Sequence, residues 1–190
     1  NLMLQENPDE KNLNNLNALK FSAENLLALL NDILDFSKIE AGKMELIKAD
    51  INLHTMHAGI MSTFNQLAAN KNLKLKGNVD KNIPPHLSGD RIRLNQVLTN
   101  LIGNAIKFTS KGSVSVDFKL REIEKESVLI RFSVTDTGAG IQPEKQKDIF
   151  SEFTQLKSNS GQERGTGLGL TISQSIVNLL GGSIKLKSTP

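Results

Sequence analysis

Three polar residues stand in line on the otherwise apolar segment QVLTNLIGNAIKF: Asn100, Asn104 and Lys107, four and three residues apart. That spacing puts them on one face of a helix. Asparagine is a poor helix former, so two in register need a purpose, either hydrogen bonds to nearby backbone or a ligand. An amide oxygen suits a hard cation such as Mg²⁺, and a lysine one turn on can reach the phosphates that such a cation accompanies. A second group, Asp136-Thr137-Gly138-Ala139-Gly140-Ile141, follows the alternating segment VLIRFSV. Its carboxylate can accept from an exocyclic amine, and Gly138 and Gly140 remove side chains that would block a flat base. A D-T-G run also occurs in aspartic proteases, but those need a second copy so that two carboxylates share a proton, and this chain has one. The third group is GTGLGL, with Gly165, Gly167 and Gly169 opening a helix. Leu170 breaks the dinucleotide pattern and no Gly-Lys-Ser/Thr follows, so it is neither a Rossmann fingerprint nor a P-loop. Alone it is explained equally well by a flexible turn. After the other two groups, it reads as unobstructed backbone N–H and a helix dipole facing a phosphate chain.

These groups need elements to hold them. Asp90 can cap the helix that carries the asparagines, whose buried side is Leu94, Val97, Leu98, Leu101, Ile102 and Ala105, ending near Phe108. Before it, Leu53, Met56, Ile60, Phe64 and Leu67 mark an amphipathic helix starting at Asn52, and NLKLKGNV reads as a strand. SVSVDFKL and VLIRFSVTD alternate as two strands joined by REIEKES. A short helix around Pro143 to Phe150, a polar loop QLKSNSGQER, a helix from about Gly167 to Leu180 and a last strand SIKLKS complete the order. The expected fold class is α+β: a two-layer α/β sandwich, its mixed sheet covered by helices on one face.

The N-terminal part is different. Leu16, Leu19, Ala23, Leu26, Leu30 and Ile33 recur at intervals of three and four, the seam of a helical bundle, and Leu27 and Leu34 widen it. Such a helix exposes too much apolar surface alone, and a homodimer is the natural cover. NLMLQ before Asn7-Pro8-Asp9 reads as the end of a preceding antiparallel helix, and Gly42 as the end of the long one. Residues 1–42 and 43–190 are thus expected to be separate domains.

Composition narrows the class. At 190 residues, 38% hydrophobic and 23% charged, the chain is that of a globular protein with a full core. Lysine and arginine number 23 against 20 acids and are interspersed with them, so no nucleic-acid footprint is indicated. The absence of cysteine excludes disulfides, Cys-zinc sites and thiol catalysis. No apolar run reaches the ~18 residues of a membrane span, so no direct membrane contact is expected.

NLIGNAIKF, DTGAGI, IFSEF and GTGLGL resemble the N, G1, F and G2 boxes of the sensor histidine kinases of two-component systems, with hybrid kinases most similar. FSAENLLALLNDILDFSKIEAGK resembles the second helix of their dimerisation and phosphoacceptor domain. The resemblance implies a catalytic ATP-binding domain of the gyrase, chaperone, histidine kinase and mismatch-repair superfamily, with ATP and Mg²⁺. In it Asn104 ligates Mg²⁺, Lys107 contacts phosphate, Asp136 reads the adenine amine, and Gly138, Gly140 and Ile141 shape the base pocket. Gly165, Thr166, Gly167, Leu168 and Gly169 line the phosphates, Phe150 and Phe153 hinge a lid over 155–164, and Arg164 touches the terminal phosphate. Phe150 and Phe153 are equally compatible with plain core roles. It further implies a homodimer through the helical hairpin, a response-regulator receiver domain as partner, and a cytoplasmic location.

Two departures accompany the resemblance. The H-E-[IL]-R-x-P pattern of the phosphoacceptor is absent and is expected before Asn1, and the chain stops before a final G-x-G-S-x-F strand. His54 and His57 are spaced as a metal pair without a third ligand, and His86 follows Pro84-Pro85. Two rivals remain. One is an ATPase of the same superfamily, although Asn100 stands where hydrolases carry a water-activating glutamate, and an amide is no general base. The other is a nucleotide-binding module that regulates without catalysis.

Overall fold

The computed structural model describes residues 10–154 and 166–190. The chain divides into two compact units, Asn1–Met44 and Glu45–Pro190.

In the first unit, helix α1 spans Glu10–Glu40. Its end is built by Gly42, in the left-handed region at φ 63°. There the Gly42 N–H donates to Ile39 O (3.0 Å) and the Lys43 N–H to Lys38 O (2.8 Å), the paired bonds of a glycine-terminated helix. Along α1, Leu19, Leu26, Leu27, Leu30, Ile33 and Leu34 are all exposed, Leu19 at 66%. The expected helix before Asn7-Pro8-Asp9 lies outside the described residues.

In the second unit the order is strand β1 (Ala49–Ile51), helix α2 (Leu53–Asn70), strands β2 (Lys74–Val79) and β3 (Leu87–Gly89), helix α3 (Arg91–Phe108), strands β4 (Ser113–Ile123) and β5 (Val128–Asp136), and helix α4 (Gly169–Leu179). The main sheet has the order β2-β4-β5, with β2 parallel and β5 antiparallel to β4. β1 and β3 form a separate antiparallel pair. Along β4, Val114, Val116 and Phe118 are completely buried while Ser113, Ser115 and Asp117 are only half-covered, the period-2 pattern of a sheet with one face in the core. Their cross-strand partners Val134 and Phe132 on β5 pack into the same core, with Leu53, Met56, Ile60 and Phe64 of α2 and Leu98, Ile102 and Ile106 of α3. Phe118 meets Phe132 edge to face at 4.8 Å and His57 at 4.9 Å. Truncating this fully buried ring, Phe118→Ala, would cost about 3–5 kcal/mol.

Both core helices start at side-chain caps. Asn52 Oδ1 accepts from the Thr55 N–H (2.9 Å). Asp90 Oδ1 accepts from the Arg93 N–H (2.9 Å) and its Oδ2 from the Ile47 N–H (2.8 Å). Burial raises the Asp90 pKa, but the N–H groups of Arg93, Ile47 and Ile92 and the charge of Arg93 outweigh it and hold the carboxyl below its ordinary value.

The expected mixed sheet with helices on one face is present. Four local expectations differ. β1 and β3, three residues each, were not anticipated, being too short to show a period. β4 continues to Ile123 past a register shift between Leu120 and Glu122, so half of REIEKES is strand and the turn is closed by the Glu124 N–H on Ser127 O (2.8 Å). The expected short helix at 143–150 is two 3₁₀ turns, Pro143–Lys145 and Asp148–Phe150. Residues 183–188 form no strand: alternation supplies a half-buried face, but a strand also needs a ladder partner, and none of the described strands bonds to this segment.

Candidate functional site

The polar line on α3 is present as spaced. Asn100 Nδ2 donates to Ser173 Oγ of α4 at 2.9 Å, and Asn104 Nδ2 donates to Asn100 Oδ1 at 3.3 Å. The second bond, within α3, engages the NH₂ end of Asn104 and does not use its oxygen. Lys107 sits one turn on, with Nζ over the Phe108 ring at 5.4 Å from its centroid, a cation–π contact with its own neighbour rather than with Asn104. The end of α3 is held by Lys71, whose Nζ donates to Ile106 O (3.4 Å) and Lys107 O (3.1 Å).

The acid–glycine loop abuts that same end. Asp136 is exposed, and its Oδ1 accepts from the Gly138 N–H at 2.8 Å, an Asx turn that orients the carboxylate and turns Oδ2 outward. Thr137 ties the loop to β4: its N–H donates to Ser113 O (3.2 Å), and its Oγ1 accepts from the Ser113 N–H (3.0 Å). A Cβ on Gly138 would lie 2.6 Å from Phe108 O, and one on Gly140, at φ +67°, would collide with the Thr189 carbonyl. Both glycines therefore admit the chain's own backbone. Ile141 donates its N–H to Ser188 Oγ (2.9 Å), and Gln146 Nε2 bridges Ile141 O (2.8 Å) and Ser188 O (3.0 Å).

The glycine-rich run meets α3 from the other side. Arg164, Gly165 and the expected lid lie outside the described residues. Thr166 Oγ1 accepts from the Leu168 N–H (3.1 Å), and Leu168 is 1% exposed. Gly167, at φ +75°, lets the chain pass Phe153, whose backbone would be 2.9 Å from a Cβ there. Gly169 begins α4, two residues later than expected, and a Cβ on it would lie 2.5 Å from Asn100 Oδ1. No side chain caps this helix start, so the N–H groups of its first turn and its positive dipole end suit an anion. Phe150 is half-buried and its carbonyl accepts from Thr171 Oγ1 (3.0 Å), while Phe153 is 65% exposed with φ 55°. The turn carrying both phenylalanines is thereby fastened to the start of α4.

Two positioning residues escaped the sequence reading: Thr171 and Ser173. The signal was there for Ser173, a hydroxyl flanked by Ile172 and Ile176 on the buried side of α4. Among the described residues, no three His, Cys, Asp or Glu cluster as a metal site. A divalent cation at Asn104 would thus take its remaining ligands from phosphate oxygens and water, as Mg²⁺ does. The Asn104 amide oxygen, not used in the bond to Asn100, is a ligand atom of the right kind, so the residues fit the ion. The histidines are engaged elsewhere: His54 Nε2 with Ile83 O (3.3 Å), His57 Nε2 with Val116 O (3.0 Å), and His86 Nδ1 with Asp50 Oδ2 (3.1 Å).

An amide line, an acid–glycine turn and a glycine-led helix come together on α3. Residues 89–190 match the family described as histidine kinase-, DNA gyrase B- and HSP90-like ATPase, and the chain belongs to it. Its relatives are hybrid sensor histidine kinases. Hybrid signal transduction histidine kinase B of Dictyostelium discoideum is 42% identical over 174 residues, 91% of this chain and 9% of the relative. The signal transduction histidine-protein kinase BarA of Escherichia coli K12 is 40% identical over 176 residues, 92% of this chain and 19% of the relative. Full-length ShkA, solved in complex with AMPPNP, superposes with a TM-score of 0.73 at 32% identity, over 88% of this chain and 34% of that one. This chain therefore spans less than a quarter of the curated relatives' length and carries their histidine kinase-type ATPase domain.

Proposed function

We propose that the chain is the catalytic core of a sensor histidine kinase that transfers the γ-phosphoryl group of ATP to a histidine on a dimerisation helix, for relay to an aspartate of a response-regulator receiver domain. In this reading residues 1–42 are part of the dimerisation and phosphoacceptor hairpin and 43–190 the catalytic domain, working on the cytoplasmic side. Asp136 Oδ2 accepts from the adenine amine beside Gly138, Gly140 and Ile141. Asn104 holds Mg²⁺ through its oxygen, Lys107 leaves the Phe108 ring for phosphate, and Gly165, Thr166, Gly167, Leu168 and Gly169 line the phosphates under a lid that carries Arg164 and hinges at Phe150. Bound Mg²⁺ would neutralise charge on the phosphates. An imidazole nitrogen attacks the γ-phosphorus, the bond from that phosphorus to the bridging oxygen breaks, ADP leaves, and the imidazolium gives its proton to solvent.

The observation that carries transfer over hydrolysis is Asn100. At the position where the hydrolases of the superfamily carry a glutamate, an amide stands with its donor on Ser173 and its oxygen on Asn104. It has no basicity to activate water, whereas an imidazole nucleophile needs no strong base. The exposed leucine face of α1 supports a second copy of the chain as its cover. The test is calorimetry with Mg-ATP alongside a phosphate-release assay. The expectation is saturable binding with slow release. Rapid turnover by the chain alone would assign it to the hydrolases, and absence of binding would overturn the site.

A further inference from the structure

The loop that follows β5 is held at its two ends by different means. Its start is fastened to β4 by Thr137, which exchanges two hydrogen bonds with Ser113. Its far end, Gly140-Ile141, lies past the last residue of β5 and outside that strand's ladder. What meets it there is a segment 47 residues further along the chain: the Ile141 N–H donates to Ser188 Oγ at 2.9 Å. Beside that bond, Gly140 passes so close to the Thr189 carbonyl that no Cβ fits between them. Gln146 closes the arrangement. A 3₁₀ turn opened by Pro143 returns the chain, and Gln146 Nε2 donates to Ile141 O at 2.8 Å and to Ser188 O at 3.0 Å. The direction of each bond is fixed by its chemistry. A backbone N–H only donates, two carbonyl oxygens only accept, and an amide side chain offers donors from its nitrogen alone. Gln146 and Ser188 are both half-buried, so loss of either side chain leaves a backbone group of Ile141 short of a partner.

We propose that Gln146 and Ser188 are positioning residues for recognition of the base: together they hold the Gly140–Ile141 side of the adenine pocket. This rests on the reading of Asp136, Gly138, Gly140 and Ile141 as that pocket. Thr137 fixes the end of the loop that carries the acid, and the Gln146–Ser188 bridge fixes the end that carries Ile141. Each of the two acts through Ile141 and is not required to touch the nucleotide. The phosphate end lies outside their reach, because α3 and the start of α4 are tied by Asn100 to Ser173 and by Thr171 to Phe150, bonds in which neither residue takes part.

The test is displacement of a ribose-labelled fluorescent ATP analogue from the full chain, in Mg²⁺, by AMPPNP, adenosine and inorganic tripolyphosphate. The proteins are the parent, Gln146→Met, Gln146→Glu, Ser188→Ala and Asp136→Ala, with the affinity of the probe measured for each. Gln146→Met keeps length and bulk without the donors. It should weaken AMPPNP and adenosine alike by about two- to tenfold, the worth of one hydrogen bond, and leave tripolyphosphate unchanged. Ser188→Ala should show the same selective loss. Gln146→Glu sets an ionised acceptor against two carbonyl oxygens, and should weaken adenosine more than Gln146→Met does. Equal losses for all three competitors would make both residues merely structural and overturn the proposal. A loss of adenosine affinity in Asp136→Ala with none in Gln146→Met and Ser188→Ala would reject the bridge alone. No such loss in Asp136→Ala would reject the base pocket and the bridge with it.

Discussion

Asp136→Asn separates recognition of the base from construction of the loop. Asp136 uses one carboxylate oxygen to accept from the Gly138 N–H at 2.8 Å. Asparagine has an oxygen to keep that bond, and with it the turn that lets Gly138 sit against Phe108 O. The change falls on the outer end, where an acceptor becomes an NH₂ facing the adenine amine, donor against donor. One charge-assisted hydrogen bond is lost, worth about 1.5–3 kcal/mol, which at 1.4 kcal/mol per decade is roughly a ten- to 150-fold weaker ATP affinity. Inosine triphosphate, with an oxygen in place of the amine, should lose much less and can overtake ATP. Calorimetry with both nucleotides on parent and variant reads this inversion, and melting curves without nucleotide should agree within a degree or two, since the turn is kept. An unchanged ATP affinity with the same order of preference would refute the assignment of Asp136 to the base. A comparable loss for both nucleotides would make its role structural.

Asp90→Ala removes the cap of α3 and the acceptor of the Ile47 N–H, and should destabilise the fold by about 1–2 kcal/mol at neutral pH. Because the folded pKa of Asp90 is depressed, its contribution is complete above the unfolded value of about 3.9 and is lost as pH falls through the folded value. Melts at pH 7 and pH 3 should show the gap between parent and variant closing in acid, and an equal gap at both would contradict the linkage. Leu26→Glu with Leu30→Glu places two charges on the uncovered face of α1 and should turn a concentration-dependent dimer into a monomer in light scattering, with ATP affinity unchanged. A parent that stays monomeric at high concentration would count against the seam.

Much of this was legible because each signal was local. Asp90 and the 3.6-residue spacing after it mark α3 from cap to Phe108, and the strict alternation of SVSVDF gives β4 its buried face. The line of Asn100, Asn104 and Lys107 could be drawn from spacing alone. What the sequence concealed is what depends on partners. β1 and β3 exist only through each other, three residues at a time. The alternation of 183–188 promised a strand, but Ser188 serves instead as a hydrogen-bonding post for Ile141 and Gln146. Gly167 and Gly169 look interchangeable in GTGLGL, yet one clears the Phe153 backbone and the other the Asn100 amide. Ser173 reads as one more residue of a greasy helix until α3 is laid beside it.

The most direct measurement of phosphoryl transfer to histidine uses ATP labelled at the γ-phosphate, with the chain alone and with the chain extended at its N-terminus by a histidine-bearing dimerisation helix of the kind proposed to precede it. Transfer predicts acid-labile, base-stable label on a histidine of the added helix, and none on the chain alone, whose three histidines are held at Ile83 O, Val116 O and Asp50. Label on His54, His57 or His86 at a rate matching the extended chain, or none in either, would contradict it.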